Sequence, residues 1–243
     1  IITVDLFGLP ANYPAIRKIA DAHRLFILED GAQGFGGMIG NKRACSFGDI
    51  STTSFFPAKP LGCYGDGGAV FTDNDEWAAL ADSYRVHGKG MFKYDNVRIG
   101  MNSRLDTLQA AILKIKFKAF REYELRDINK AAALYTKLLA GRVKTPVTPE
   151  GYYSSWAQYT ICLNSREERD ALQACLKEQG IPSMVYYPTP MHGQTAYKAL
   201  NAPTDCCSTA KRLCDTVLSL PVHPYITEEE IETVCSVILG FVR

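Results

Sequence analysis

The strongest constraint on the fold is an alternation of short β-rich runs and helical stretches in the first half of the chain. The runs typical of strands are IITV (1–4), LFILE (25–29), ISTTSF (50–55) and GAVFT (68–72). One helical stretch, PAIRKIADAHR, has Pro14 suited to its first turn. For another, DEWAALADSYRV, Asp73 and Glu76 resemble a capping box that opens the helix. This alternation predicts a mostly parallel sheet with helices on its faces.

The second half has a different pattern, which predicts a long helix and then a smaller α/β unit. Apolar residues repeat at three- and four-residue steps from Leu105 to Ala119, and the helical pattern continues, with a possible break, to Gly141. A linker with two prolines, TPVTPEGYY, follows. We therefore predict one domain over 1–128 and a second over 129–243.

Capping residues and alternation mark the elements of the second domain. WAQYTICL and IPSMVYYP are predicted strands. Between them, Ser165 and Glu168 predict a capping box for the helix REERDALQACLKEQ, which Gly180 ends. Thr227 and Glu230 predict the same start for a last helix.

Charge and composition exclude several classes of partner. The 27 Lys+Arg residues nearly balance the 26 Asp+Glu residues, so we expect neither nucleic acid nor an anionic membrane as partner. No apolar run approaches the ~18 residues that a membrane-spanning helix needs. The eight cysteines contain no C-x-x-C pair, and Cys206 and Cys207 are adjacent. We expect reduced, mostly buried thiols in a cytoplasmic protein.

Common cofactor and metal motifs are missing from the sequence. GFGGMIG (34–40) has the wrong glycine spacing for a dinucleotide fingerprint, and no convincing helix follows it. Neither G-x-S-x-G nor G-K-[ST] occurs. The four histidines are scattered along the chain, so we predict no metal site.

Three segments carry polar residues in patterns that indicate chemistry, and we expect them where open α/β sheets bind ligands, at strand ends. The first is LFILEDGAQ, in which Asp30 ends an apolar run and Gln33 follows three residues later. A carboxylate in this position needs a cationic partner, because burying an unpaired charge is costly. The alternative is a turn-forming aspartate followed by glycine.

The second segment, TTSFFPAKPLGCYGDGG, centres on Lys59. Pro57 and Pro60 stiffen the loop around this lysine, and aromatic residues precede it. Partial desolvation makes a lysine amine more nucleophilic, as Schiff-base chemistry requires. Ser54, five residues earlier, offers a hydroxyl to a phosphate. The alternative is an ordinary surface lysine on a loop.

The third segment, RIGMNSRLDTLQAA, lies where the long helix is predicted to begin. Asn102 and Arg104 would supply amide and guanidinium donors there, and Ser103 with Asp106 resembles a capping box. Such a helix start suits a phosphate or a carboxylate. The alternative is ordinary helix-start chemistry.

In this order, the segments resemble the DegT/DnrJ/EryC1/StrS family of sugar aminotransferases, which are fold-type-I enzymes that use pyridoxal 5′-phosphate (PLP). The resemblance runs from the first residues to the last helix. It is carried by EDGAQ, SFFPAKPLGCYGDGG, RVHG, IGMNSRLDTLQAA, YYPTPMH and VLSLPVHPYIT. The lysine segment, the Asp-x-x-Gln before it and the Asn-x-Arg after it form a highly specific combination, which favours the functional interpretation of all three.

The resemblance implies a role for each matching residue. Asp30 would face the pyridine nitrogen of PLP, and Gln33 would contact the cofactor ring. Ser54 would bind the phosphate, and Lys59 would attach the cofactor covalently and act as the catalytic base. Asn102 would reach the phosphate of the cofactor in a neighbouring subunit, so the functional unit would be a homodimer with shared active sites.

The resemblance also implies a substrate. VDLFGLP and TTSFFPAKPLGCYGDGGA look most similar to the branch that transfers an amino group from glutamate to a 3-keto UDP-N-acetylglucosaminuronic acid, in the biosynthesis of cell-surface polysaccharides such as lipopolysaccharide O-antigen. Arg104 is then a candidate for the sugar carboxylate. Tyr186, Tyr187 and His192 are further candidates for substrate binding, although many members carry His-Tyr-x-Pro where this chain has Tyr186-Tyr187-Pro188.

The expected fold is α/β, of the aspartate aminotransferase-like fold type I. Family members begin well before the point that matches Ile1, so we expect an N-terminally truncated large domain plus a small α/β domain, with poor PLP binding by this region alone. Two alternatives remain. One is a sugar dehydratase of the same family, which has histidine in place of Lys59, and the other is a PLP-binding protein without turnover.

Overall fold

The computed structural model describes residues 1–201 and 207–242. Contacts divide the chain into two compact units. The first comprises Ile1–Arg126 and Thr148–Ala157, and the second comprises Asp127–Val147 and Gln158–Arg243. The first unit is therefore discontinuous, because a short segment returns to it after the chain has entered the second. The predicted division into 1–128 and 129–243 stays a prediction.

The first unit is built on a four-stranded sheet. Its elements are β1 (Ile2–Val4), α1 (Tyr13–His23), β2 (Leu28–Asp30), β3 (Met38–Ile39), β4 (Lys42–Arg43), β5 (Ile50–Ser54), β6 (Gly68–Phe71), α2 (Asp75–Arg85), α3 (Thr107–Ala119) and β7 (Tyr152–Tyr153). The strand order of the main sheet is β1-β2-β5-β6, and a smaller sheet has the order β4-β3-β7.

The main sheet confirms the mostly parallel arrangement predicted from the sequence. β1, β2 and β5 are parallel, and β6 runs antiparallel along β5. Val4 pairs with Asp30, and Asp30 pairs with Thr52. Because the three parallel strands share one direction, their carboxyl ends lie along the same edge of the sheet.

A buried carboxylate fixes the connection between β2 and β5. Glu29 is fully buried, and its oxygens accept hydrogen bonds from the backbone N–H groups of Cys45, Phe47 and Gly48, at 2.5, 2.7 and 2.9 Å. The Ser51 hydroxyl donates a fourth, at 2.8 Å. These donors supply the hydrogen bonds that a buried charge needs, and they bind the loop before β5 to the middle strand.

Two apolar clusters pack against this sheet. In one, Tyr13 of α1 stacks on Phe47 with ring centroids 4.6 Å apart, beside Ala20 and Ile27. The other joins the segment after β5 to α3 and to the π-helical turn Phe120–Glu124 that follows it. This second cluster, here called the loop core, consists of Leu61, Cys63, Leu113 and Phe120, with Phe35, Phe55 and Leu125 packed against it.

Two predicted helix starts are wrong. α2 is capped by Asn74, whose side chain accepts from the Trp77 N–H at 3.0 Å, one residue beyond the predicted Asp73. α3 begins after Asp106, whose side chain makes no capping hydrogen bond. The predicted pair of Ser103 and Asp106 fails because backbone bonds from 101 and 103 to residues 84 and 85 keep this segment extended.

The second unit is α/β. Its elements are α4 (Leu125–Leu139), of which the first two residues belong to the first unit, β8 (Tyr159–Cys162), α5 (Arg166–Glu178), α6 (Ser208–Thr216), β9 (Val217–Leu220) and α7 (Glu228–Phe241). β8 and β9 are antiparallel. The core contains Tyr135 and Tyr159, which stack at 5.0 Å, together with buried residues of α5 and α7.

The second unit confirms some of its predicted boundaries. The capping box of Thr227 and Glu230 is present in full at the start of α7. Ser165 caps α5, but the carboxylate of Glu168 accepts from Asn164 instead of from Ser165, so only half of that box forms. The predicted strand IPSMVYYP is wrong: within the described residues it contributes a single bridge, between Met184 and Ser219. β9 is the strand that pairs with β8.

The seven cysteines that the structure describes are free thiols. Their burial is mixed: three are buried, three are half-buried and Cys207 is exposed, while Cys206 lies outside the described residues. In the same part of the chain, no helix is long and apolar enough to cross a membrane. Nor do these residues include a group of three or more His, Cys, Asp or Glu side chains that could hold a metal ion.

We expect Glu29→Gln to destabilise the chain by about 3 kcal/mol, because the amide group would face donors that now bind a carboxylate oxygen. The free energy of unfolding from urea titration measures this effect. Glu150→Gln, at an exposed position, is the matched control and should change stability by less than about 0.5 kcal/mol. Equal effects of the two substitutions would contradict the role assigned to Glu29.

Candidate functional site

Asp30 lies at the carboxyl end of β2 and is half-buried. Its Oδ1 accepts a hydrogen bond from the Ala32 N–H at 3.0 Å, so the side chain shapes the turn that leaves the strand. Gly31 is required within this turn, because a Cβ there would lie 2.5 Å from the Cys45 Sγ. Asp30 therefore forms the turn with glycine that the sequence offered as the alternative to a binding role. This turn holds the Asp30 carboxylate at the edge of the sheet.

Ser54 lies at the carboxyl end of the neighbouring strand, β5. It is two residues beyond Thr52, which pairs with Asp30, so the parallel register places Asp30 and Ser54 at the same edge. The Ser54 hydroxyl accepts from the Phe56 N–H at 3.2 Å. The structure thus brings these two predicted site residues onto adjacent strand ends.

The chain next forms a closed loop that carries Lys59. At its base, Phe55 donates to the Gly67 carbonyl and accepts from the Cys63 N–H, both at 2.7 Å. Gly62 allows the loop to close tightly, since a Cβ there would lie 2.5 Å from the Pro57 carbonyl oxygen. The loop core holds Leu61 and Cys63 against α3, so the base of the loop is anchored on both sides.

Lys59 is half-buried within this loop, and its N–H donates to the Phe56 carbonyl at 2.9 Å. Among the residues that the structure describes, its ammonium group makes neither an ion pair nor a hydrogen bond. Lys59 thus lies in the anchored loop, five residues beyond Ser54 at the end of β5.

Gln33 is nearly buried, with 7% of its surface exposed. Its side-chain oxygen accepts from the Phe7 N–H at 2.6 Å, and its backbone carbonyl accepts from the Ser155 hydroxyl at 2.8 Å. Gln33 is thus tied to two segments that are far from it in sequence. Neither contact is predictable from the local sequence around Gln33.

Asn102 and Arg104 form a second group. Both are exposed, and the Arg104 Nε donates to the Asn102 Oδ1 at 2.9 Å. They line an open groove of about 1130 Å³ that β5, β6 and α2 also line. The four residues at or near the strand ends (Asp30, Gln33, Ser54 and Lys59) are not among the lining residues of this groove.

The remaining candidates belong to the second unit. Tyr186 and Tyr187 have ring centroids 5.5 Å apart in an edge-to-face arrangement, and Tyr187 is exposed. His192 is half-buried in the short 3₁₀ turn Met191–Gly193. The functional roles predicted for all the candidate residues stay predictions.

A buried carboxylate, Asp5, lies beside the site and was not predicted from the sequence. Asp5 follows β1 and donates its N–H to the Asp30 carbonyl at 3.0 Å. Its Oδ1 accepts from the Tyr13 hydroxyl at 2.7 Å and from the Ala11 N–H at 3.1 Å, whereas in the described chain Oδ2 has no hydrogen-bond partner. Burial, with a smaller contribution from the charge of Glu29, raises the pKa of Asp5 to about 7. The signal was a lone aspartate within the otherwise apolar run VDLFGLP.

Comparison with known proteins identifies the family. The DegT/DnrJ/EryC1/StrS aminotransferase family matches residues 1–239. The chain belongs to this family, as the resemblance predicted.

Three relatives show how far the similarity extends. The UDP-2-acetamido-2-deoxy-3-oxo-D-glucuronate aminotransferase of Pseudomonas aeruginosa is 41% identical over 97% of this chain and 64% of its own length. A DegT DnrJ EryC1 StrS aminotransferase from Brucella abortus is 48% identical, with a TM-score of 0.94 over 99% of this chain and 64% of that one. NtdA from Bacillus subtilis, solved with bound cofactor PMP, is 29% identical, with a TM-score of 0.88 over 100% of this chain and 56% of that one.

These matches confirm the predicted fold class, an α/β fold of the PLP-dependent sugar aminotransferase type. The chain spans less than two thirds of the length of each of these relatives.

We expect the stability difference between the wild type and Asp5→Asn to depend on pH. The pKa of Asp5 is about 7 in the folded chain and 3.8 ordinarily, so the folded state retains a proton that the unfolded state loses above about pH 4. The stability contributed by this proton is complete below about pH 4 and is lost as the pH rises towards 7. Asparagine does not titrate, so the wild type should lose stability relative to the variant across this range.

Urea unfolding at several pH values between 4 and 8 measures this difference. Asp73→Asn, at an exposed position, is the control and should give a curve parallel to that of the wild type. A parallel curve for Asp5→Asn would show that Asp5 does not bind the proton.

Proposed function

We propose that the protein is a PLP-dependent aminotransferase that moves an amino group from glutamate to a nucleotide-linked keto-sugar. The observation that carries the proposal is the placement of three residues. Asp30 and Ser54 lie at the ends of two adjacent parallel strands, and Lys59 lies in the anchored loop that follows Ser54. The chain that carries them belongs to the aminotransferase family. Because the chain belongs to a family of aminotransferases, we assign these three residues to one active site.

The residues at this edge fit the chemical groups of PLP. A half-buried carboxylate at Asp30 suits a protonated ring nitrogen, and the Ser54 hydroxyl suits a phosphate. The amine of Lys59 suits the aldehyde, since it is half-buried and, in the described chain, is not engaged by an acidic side chain. The PMP bound to the relative NtdA is the amine form of the same cofactor, which supports this assignment.

Each residue then has a task in amino transfer. When bound, PLP accepts the electron pair left on the substrate carbon after its proton is removed. Lys59 carries that proton between the substrate Cα and the C4′ atom of the cofactor, as general base and then as general acid. Asp30 holds a proton on the pyridine nitrogen, which gives its carboxylate the cationic partner that the sequence analysis required.

The other candidates hold the cofactor and the substrate. Ser54 binds the phosphate and Gln33 contacts the ring. Asn102 serves the phosphate of a second subunit, so the active form is a homodimer.

The proposed substrate is a 3-keto UDP-N-acetylglucosaminuronic acid. It follows the activity for which the Pseudomonas aeruginosa relative is named, amino transfer to a UDP-linked 3-oxo-glucuronate. Arg104 binds the sugar carboxylate, and Tyr186, Tyr187 and His192 contribute to the substrate site. The product is an amino sugar for cell-surface polysaccharide. The free thiols of the described residues support a cytoplasmic location for the protein.

We expect borohydride to fix PLP on Lys59. The chain is incubated with excess PLP, then reduced and digested for peptide mass spectrometry. The wild type and Lys18→Ala, which changes an exposed lysine of α1, should carry the pyridoxyl mass on the Lys59 peptide. Lys59→Ala should carry none. An adduct on a different lysine in the wild type would overturn the assignment.

We expect Asp30→Asn to lower turnover about a hundredfold while PLP still attaches to Lys59, because an amide does not hold a proton on the ring nitrogen. Turnover is measured as the release of 2-oxoglutarate from glutamate in the presence of UDP-linked 3-keto-sugars. Ser219→Ala, in the second unit, should leave the rate within about twofold. A wild type that binds PLP on Lys59 but releases no 2-oxoglutarate would contradict the proposed reaction.

A further inference from the structure

We propose that Ser155 is a positioning residue that acts on the cofactor through Gln33. The inference rests on the proposed function, because it takes Gln33 to be a contact of the PLP ring. Ser155 lies in the segment 148–157, which returns to the first unit after α4.

Ser155 makes its contacts inside the first unit, with 1% of its surface exposed. Its hydroxyl lies 2.8 Å from the Gln33 carbonyl oxygen and donates to it. Its backbone N–H donates to the Gly8 carbonyl at 2.9 Å, and the same carbonyl lies 3.4 Å from the hydroxyl. A single serine therefore joins the turn after Asp30 to the turn after β1.

The turn after β1 holds the other end of Gln33. The Phe7 N–H donates to the Gln33 Oε1 at 2.6 Å, from a left-handed backbone conformation with φ of 61°. Gly8 follows with φ of 103°, and a Cβ there would lie 2.7 Å from the Ser155 Oγ. Glycine is thus needed both for the turn and for the close approach of Ser155.

These contacts fix Gln33 at two points. The carbonyl is held by Ser155 and the side-chain oxygen by Phe7, with Ser155 also supporting the turn that carries Phe7. An amide oriented by its oxygen presents its N–H donors in one direction. Ser155 therefore sets the direction in which Gln33 meets the cofactor ring, although it touches neither cofactor nor substrate.

Ser155→Ala tests this role, with Ser219→Ala as the matched control. Ser219 is also a buried serine, whose hydroxyl lies 2.8 Å from that of Thr160 in the second unit. Both substitutions remove one buried hydroxyl and should lower the melting temperature of the cofactor-free chain. Only Ser155→Ala should weaken PLP binding, by about five- to tenfold in Kd. Ser155→Cys, whose thiol is a weaker donor, should lie between wild type and Ser155→Ala.

A double substitution tests whether Ser155 acts through Gln33. Gln33→Ala removes the side chain but keeps the carbonyl that Ser155 binds. In that background Ser155→Ala should cause no further rise in the Kd of PLP. An unchanged Kd in Ser155→Ala, or the full rise in the Gln33→Ala background, would overturn the proposal.

Hydrogen exchange of the cofactor-free chain separates this proposal from the proposed function. Ser155→Ala should speed exchange at Phe7 and in the segment 31–36, whereas Ser219→Ala should leave both unchanged. Failure of the wild type to fix PLP on Lys59 would refute the proposed function. If Ser155→Ala and Ser219→Ala show the same exchange rates at Phe7 and in 31–36, the positioning role is refuted, whether or not PLP binds to Lys59.

Discussion

The parallel register between β2 and β5 is the constraint on which the candidate site depends. It places Asp30 beside Thr52 and so brings Ser54 and the Lys59 loop to the edge where the Asp30 carboxylate lies. The carboxylate of Glu29 maintains this arrangement, because it gathers donors from the loop that leads into β5. The two adjacent acids of β2 thus differ: Glu29 is buried and bound by donors of the loop before β5, whereas Asp30 is half-buried at the edge of the sheet.

Much of this architecture could be predicted from the sequence, because it follows from local pattern. The strands of the main sheet, their mostly parallel arrangement and the start of α7 at Thr227 all have short-range signals. The family resemblance supplied the candidate roles, and the chain's membership of the family is now shown by the match over residues 1–239. The binding and catalytic roles of single side chains depend on their three-dimensional surroundings, which the local sequence pattern does not specify.

The parts that could not be predicted depend on contacts between distant segments. Ser103 and Asp106 have the composition of a capping box, yet pairing with residues 84 and 85 keeps that segment extended. Met184 lies in an apolar run typical of a strand, yet β9 occupies the place beside β8. Asp5 and Ser155 gain their surroundings only through tertiary contacts, and the bond from Ser155 to Gln33 spans 122 residues.

The return of 148–157 to the first unit has a consequence for how the chain acquires its structure. Because Gln33 is held by Ser155, its surroundings are incomplete until synthesis has passed α4, which already belongs mostly to the second unit. The first unit therefore cannot finish folding before the residues of the second unit between 127 and 147 have been synthesised, whereas a contiguous domain can fold as soon as it is complete. Closing a loop of 122 residues costs chain entropy, so we expect the surroundings of Gln33 to form late in folding.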